Sequence, residues 1–232
     1  MTRQVTNRSP GTWAETRPYV ILNSAMSLDG KIATSQGDSQ LSSPEDLKRV
    51  HKLRASVDGI MVGIGTVLAD NPKLTVKLAT GPNPRRIVVD SQARTPLNSY
   101  VVKTASLTPT IIAVTSGALR RRVKALEEVG VIVLTCGNGS RVSLPLLLRR
   151  LRALGIRKIL LEGGGTLNWS MLREGMVDEV SVAISPRVLG GADAVSLAEG
   201  VGVARIRDAV SLLLVSVKNY GNNTVLRYKV AG

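Results

Sequence analysis

Between the apolar run Ile159–Leu161 and a helical segment opening at Thr166, the chain places Glu162 and three consecutive glycines. Leu167, Met171 and Leu172 recur at helical spacing, and Gly175 supplies a C-terminal stop. The glycines therefore stand at the carboxyl end of a strand and the amino end of a helix. Such a junction offers unpaired backbone N–H groups and the positive end of a helix dipole, and glycine lets a phosphate approach the backbone closely. An anionic cofactor suits it, although a tight strand-to-helix turn accounts for the glycines equally well. No Gly-Lys-Ser/Thr follows, and the spacing is not GxGxxG, which excludes a Walker loop and a Rossmann fingerprint.

The same strand-then-helix grammar repeats along the chain. Strands are expected from Arg17 to Ser27, Val57 to Gly63, Arg86 to Asp90, Ile111 to Thr115, Val131 to Thr135, Lys158 to Leu161 and Val180 to Ile184. Helices are expected after Ser43-Pro44, from Ile64 to a halt before Pro72, over Ala118–Val129 and Leu144–Leu154, and after the glycines. The fold class is α/β: a mostly parallel central sheet with helices on both faces. Leu212–Val217 and Thr224–Val230, about a Tyr-Gly-Asn-Asn turn, add an antiparallel hairpin. With no repeat and no interior linker, residues 18–232 read as one domain behind a flexible leader, 1–17.

Composition narrows the chemistry. One cysteine and one histidine in 232 residues leave no disulfide framework, zinc cluster or deaminase signature, so no metal is expected. No run of about 18 apolar residues spans a bilayer and no signal segment is visible, which points to the cytoplasm and to no membrane partner. The formal charge of +14 is the one argument for nucleic acid. Much of it lies in Arg120–Arg122, Lys124, Arg149, Arg150 and Arg152, which alternate with apolar residues as a solvated helix face does. Without phenylalanine, and with two Trp and four Tyr, there are few platforms for stacking bases, so no nucleic-acid partner is expected.

Several polar residues stand where strands end. Alternation places Asn23, Ala25 and Ser27 on one face of the first strand, a small polar surface; an Asn satisfied by neighbouring backbone is the plain alternative. Leu47, Val50, Arg54 and Val57 share a helical stripe, so Arg54 projects from a buried face and needs an anion, a substrate phosphate at the cleft edge being one. His51, beside that stripe, reads as structural. Thr66 and Asp70 lie four apart on one helical face beyond the second strand. Past Arg86–Asp90 come Ser91 and Arg94, which suit an adenosine 2′-phosphate unless Asp90 faces it too.

Taken together, NSAMSLDGKIAT (23–34), GDSQ (37–40), residues 49–76, RRIVVDSQAR (85–94), LLEGGGTLNWSML (160–172) and VDEVSVAISPRVLGG (177–191) resemble the pyrimidine reductases of riboflavin biosynthesis, in their stand-alone archaeal form. The resemblance runs in order from Arg17 over nearly the whole chain. It implies a dihydrofolate reductase-like fold, a homodimer, and hydride transfer from NADPH to C1′ of a ring-opened ribosylamino imine. The substrate implied is 2,5-diamino-6-ribosylamino-4(3H)-pyrimidinone 5′-phosphate, with the deaminated pyrimidinedione as alternative. By the same resemblance Ala25, Thr66, Asp70, Ser91, Gly163, Gly164, Gly165, Thr166, Leu167 and Asn168 contact the cofactor, joined by Arg94 at the 2′-phosphate. NADPH is preferred and NADH tolerated. Ser39, Arg54, Leu74 and Lys77 contact substrate, and Asn23 and Glu162 line the cleft between the two; no proton donor is identified. Leu41 replaces the bacterial-type Trp, and Lys77 replaces Arg. Dihydrofolate itself fits poorly, since no Phe-rich pocket around a buried carboxylate can be built.

Overall fold

In the computed structural model, which describes residues 16–231, nine strands form one sheet. They are β1 (Tyr19–Met26), β2 (Gly59–Gly63), β3 (Arg85–Val89), β4 (Thr110–Val114), β5 (Ile132–Thr135), β6 (Lys158–Leu161), β7 (Glu179–Ile184), β8 (Leu212–Tyr220) and β9 (Asn223–Val230). Their order is β5-β4-β3-β2-β6-β1-β7-β9-β8. Every pairing from β5 to β7 is parallel, and only β7–β9 and β8–β9 are antiparallel. The expected hairpin thus closes one edge, its strands reaching to the turn itself.

Six helices flank the sheet: α1 (Pro44–Ala55), α2 (Ile64–Asp70), α3 (Tyr100–Lys103), α4 (Arg120–Glu128), α5 (Leu144–Ala153) and α6 (Gly165–Arg173). The short α3 has no periodic signature, and it was not expected. Alternation along each strand splits the core into two layers. Val20, Leu22, Met61 and Leu161 face one way, onto Leu147, Leu148 and Leu151 of α5 and Met171 of α6. Ile21, Ile60, Val62 and Leu160 face the other, with Leu126 of α4 and Val101 and Val102 of α3. Central strands buried on both faces must be apolar at every position, hence runs such as Val-Ile-Leu in β1 and Ile-Leu-Leu in β6.

Residues 1–15 of the expected leader lie outside the described residues. Arg17, placed at its end, is instead anchored: its guanidinium meets the Asp178 carboxylate at 2.6 and 2.8 Å. The α1 start follows its capping residues. Ser43 is extended, and its hydroxyl accepts from the Asp46 N–H at 3.1 Å with Pro44 in the first turn. The expected stripe on α1 is rotated, however. Leu47 is exposed, whereas Asp46, Val50 and His51 are buried, because the Asp46 carboxylate turns inward to accept from the Ser42 hydroxyl at 2.7 Å and to pair with Arg49 at 2.6 Å.

Candidate functional site

Parallel strands bring the carboxyl ends of β1, β2, β3 and β6 to one edge of the sheet, and insertion of β6 between β2 and β1 breaks the sequential order there. Crevices at such a switch point are where open α/β sheets hold ligands. All of the polar strand-end residues named from the sequence come from this edge or the helices leaving it.

The glycine turn is the most constrained part. Gly163 takes φ +97°, open to glycine at little cost, and a cis peptide joins it to Gly164. The Gly163 carbonyl accepts from Gly63 N at 2.8 Å, and the Gly164 N–H donates to the Thr66 hydroxyl at 3.0 Å, so β2 and α2 brace the turn from one side. From the other side comes a strap, residues 194–202. Glu199 N donates to the Gly165 carbonyl at 3.1 Å, and a Cβ on Gly165 would run into the Ser196 carbonyl and the Glu199 side chain. The helix α6 begins at Gly165 with no side-chain cap, so no side chain of the helix start takes its first-turn N–H groups.

The structure separates the residues expected here into two groups. Gly163, Gly164, Thr66 and the exposed Thr166 surround the turn. Asn168 and Leu167 are buried: the Asn168 Nδ2 donates to the Leu197 carbonyl at 2.9 Å, so this side chain ties α6 to the strap. Asp70 is exposed at the end of α2, with its carboxyl pushed up from the ordinary value by partial desolvation. Ala25 is half-buried in β1. The strap, with Ser196 and Glu199, carried no strand or helix signal and was missed.

Beside the turn, α1 presents two arginines to adjacent strands. Arg54 grips Glu162 with both arms, Nε–Oε1 2.8 Å and Nη2–Oε2 2.7 Å, and donates to the Thr75 carbonyl at 3.2 Å. The anion that Arg54 was expected to need is therefore Glu162, a protein carboxylate, and no substrate phosphate is required to neutralise it. Burial lowers the Arg54 pKa, but the Glu162 charge and hydrogen bonds raise it further, so the net shift is upward. Arg49 donates to the Asn23 Oδ1 at 3.0 Å and to the Ser181 hydroxyl at 3.1 Å. The Asn23 Oδ1 is thus satisfied by a side chain, not by neighbouring backbone.

The loop beyond α2 carries Leu74 and Lys77. Leu74 is buried at φ +51°, while Lys77 is exposed and its backbone N–H donates to His51 Nδ1 at 2.9 Å. This bond and burial support the structural reading of His51, whose pKa is lowered chiefly by desolvation. The Lys77 ammonium is held below its usual value by the positive charge of Lys73. Two ammonium groups meet here, and Lys73 had drawn no attention in the sequence. Ser39 is exposed in its loop.

At the β3 exit, Asp90 turns inward. It is fully buried, and Oδ2 accepts from the Thr95 N–H and hydroxyl at 2.7 Å each. Ser91 accepts from Val142 N at 3.1 Å. Arg94 lies at the rim with its side chain 57% exposed, 3.9 Å from Asp90. It lines an open groove of about 500 Å³ with Gln92, Gly117 and Arg122. Arg122 had been counted with a solvated helix face; it bends back to donate to the Ala93 and Thr95 carbonyls. A larger cavity of about 620 Å³ runs from the amino ends of β1, β6 and β7 to Arg49 and Ser181 and includes no expected site residue. The strand-end chemistry outweighs its size.

For a dinucleotide the donor set fits. The glycine turn admits close approach, the first turn of α6 supplies N–H groups, and two cations stand at the groove beyond β3. Among the described residues no group of three or more His, Cys, Asp or Glu side chains could hold a metal ion. No described helix is long and apolar enough to cross a membrane.

The chain is similar to known proteins over nearly its whole length. The model of the RibD C-terminal domain matches residues 18–226. The chain is 49% identical over 219 residues to the 2,5-diamino-6-ribosylamino-4(3H)-pyrimidinone 5′-phosphate reductase of Methanothermobacter thermautotrophicus, covering 93% of this chain and 100% of that one. Among solved structures, Acinetobacter baumannii RibD superposes with a TM-score of 0.80 at 26% identity over 93% of this chain; the match spans 58% of that protein. A dihydrofolate reductase from Enterococcus faecalis shares the fold, at a TM-score of 0.52 and 14% identity over 92% of this chain and 97% of that one.

Proposed function

Because the chain belongs to the RibD C-terminal domain family, we propose that its strand-end cleft binds NADPH beside 2,5-diamino-6-ribosylamino-4(3H)-pyrimidinone 5′-phosphate and reduces the ribosyl side chain to ribityl. The protein is an oxidoreductase of riboflavin biosynthesis acting on a phosphoribosylaminopyrimidine. The observation that supports the site assignment best is the junction of β6 and α6, where Thr66 holds Gly164 and the helix starts without a side-chain cap.

When bound, the nicotinamide supplies hydride, so the protein needs no nucleophile–base pair of its own. Its residues bind, orient and exclude water. Gly165 and Thr166 offer backbone N–H groups to the diphosphate and Gly163 and Gly164 allow its close approach, the Gly164 N–H being held by Thr66, with Ala25 and Asp70 nearby and Leu167 and Asn168 supporting the turn from beneath. Ser91 and Arg94 take the adenosine 2′-phosphate. The carboxylate of Asp90 turns away from the groove and is held by Thr95, which lessens its repulsion of a phosphate there and favours NADPH over NADH. On the substrate side, Asn23 and Glu162 line the reacting end, Leu74 the ring, and Ser39 and Lys77 the phosphate. Lys73 joins Lys77, since two neighbouring ammonium groups are relieved by a shared anion. Arg54 contributes by fixing Glu162 as a carboxylate.

Incubation with NADPH and the diamino substrate should oxidise the cofactor in proportion to ribitylamino product. Turnover of the deaminated analogue alone would move the assignment to that substrate, and turnover of neither would reject it.

A homodimer is part of the same reading. The edge strand β8 exposes Leu212, Leu213, Leu214, Val215 and Val217, an apolar strand edge of the kind that a second copy covers. Sedimentation of wild type and Leu213→Lys should separate dimer from monomer; a monomeric wild type would refute it.

A further inference from the structure

The two arginines of α1 divide the labour at the cleft, and only one of them lies where the sequence looked. Leu22 pairs with Leu161 across β1 and β6, so the next residues, Asn23 and Glu162, lie side by side on the face covered by α1. Arg54 holds the second. Arg49, five residues earlier on α1, holds the first and is itself fixed at three corners: Nε to Asp46 at 2.6 Å, Nη1 to Ser181 at 3.1 Å and Nη2 to Asn23 at 3.0 Å. Its side chain is only 10% exposed, and Asp46 is fully buried. The face of its guanidinium lies 5.8 Å from the centre of the Tyr220 ring.

A guanidinium has N–H donors and no acceptor, so the amide atom of Asn23 that faces it must be the oxygen. Turning the amide over would set two donors against each other. The Asn23 Nδ2 then points away from Arg49, and no described residue supplies it with an acceptor.

We propose that Arg49 is a positioning residue for the reaction, fixing the Asn23 amide so that Nδ2 is presented to the cleft as a hydrogen-bond donor for a carbonyl or hydroxyl oxygen of the substrate. The inference rests on the reductase reading given above. It makes α1 the common ruler for the two polar groups at the reacting end: an acceptor at Glu162 and a donor at Asn23, on neighbouring strands. It also explains why Asn23 tolerates a buried position, because Arg49 satisfies the half of the amide that the substrate does not use.

A double-mutant cycle tests it. Arg49→Lys keeps the charge opposite Asp46 but cannot reach Asp46, Ser181 and Asn23 together. It should lower kcat/KM for the pyrimidine by about tenfold to a hundredfold, the usual cost of a misplaced contact, with KM for NADPH unchanged. In an Asn23→Ala background the same substitution should cost less than about twofold, because its route of action is gone. Losses that multiply in the double variant, or an Arg49→Lys enzyme as active as wild type, would overturn the proposal. Thermal midpoints taken alongside keep the assay below unfolding. The Asn23 side-chain amide signal in a nitrogen-15 spectrum reads the orientation without any turnover: it should move in Arg49→Lys and stay within a fraction of that shift in Tyr19→Phe, and an unmoved signal in Arg49→Lys would also overturn the proposal. An inactive wild type would instead indict the reductase reading.

Discussion

In the proposed site the exits of β6 and β3 take the two ends of one dinucleotide, yet they are built in opposite ways. At β6 the ligand-facing groups are backbone N–H groups, clamped between Thr66 on one side and the strap from 194 to 202 on the other. At β3 the ligand-facing group is a single, largely exposed arginine at the rim of an open groove, while the adjacent acid is buried against Thr95. A clamped backbone cannot yield, so a small steric change there is felt in full. An exposed side chain is screened by water and salt, so its loss is felt weakly.

The largest effect is expected beside the β6 turn. Glu162→Gln leaves the Arg54 charge, whose side chain is 19% exposed, without its carboxylate. Urea unfolding should show a loss of about 2–3 kcal/mol, toward the low end for a broken buried pair because some solvent reaches it. A loss below about 0.5 kcal/mol would mean that the pair behaves as a surface salt bridge.

Next comes Gly165→Ala, where the added Cβ meets the Ser196 carbonyl and the Glu199 side chain. Overpacking of this kind costs about 1–3 kcal/mol, and the displaced strap should weaken NADPH binding by about tenfold in a fluorescence titration. Unchanged affinity and stability together would show that the strap moves freely, and the contrast with β3 would collapse.

At the β3 exit, Arg94→Ala should lower the NADPH-to-NADH ratio of kcat/KM by no more than about tenfold at low salt, and by less at high salt. A hundredfold loss independent of salt would place the 2′-phosphate in a closed pocket and make the two exits alike.

The smallest expected effect concerns the loop carrying Lys77. The folded protein favours neutral His51, whose Nδ1 accepts from Lys77 N. A histidine whose folded pKa is depressed contributes stability that is complete above its unfolded value of about 6.5 and is lost as pH falls through the lower folded value. Stability measured from pH 7.5 to 5 should therefore decline on acidification, and His51→Gln should flatten part of that decline. A decline of equal size in the variant would assign it to other groups.

Much of this could be read from the chain. Strand runs buried on both faces, the Ser43-Pro44 helix start and the glycines between β6 and α6 are local signals, because period and turn chemistry act over a few residues. Glu162, Arg54 and Asn23 were also singled out, but their relations were not. Arg54 looked like a cation in want of a phosphate, and Asn23 like either part of a small polar surface or an amide satisfied by backbone. Each partner lies on another element, 108 residues away for Arg54 with Glu162 and 26 for Asn23 with Arg49. Arg122 looked like one more solvated helix charge, since a helical wheel shows which side a residue takes and not which loop lies within reach.

The sequence by itself determined the alternation of strands and helices, the parallel sheet with its antiparallel edge, and the kinds of residue that collect where strands end. Only the tertiary structure decided that β6 lies between β2 and β1, that Asp90 points inward, that a strap without regular structure braces the glycine turn, and that α1 sets one arginine against each of two neighbouring strands. The physical reason is range. Backbone preferences and hydrophobic period are written over three to ten residues, whereas a hydrogen bond or ion pair is decided by where whole elements pack, and that depends on the entire chain at once.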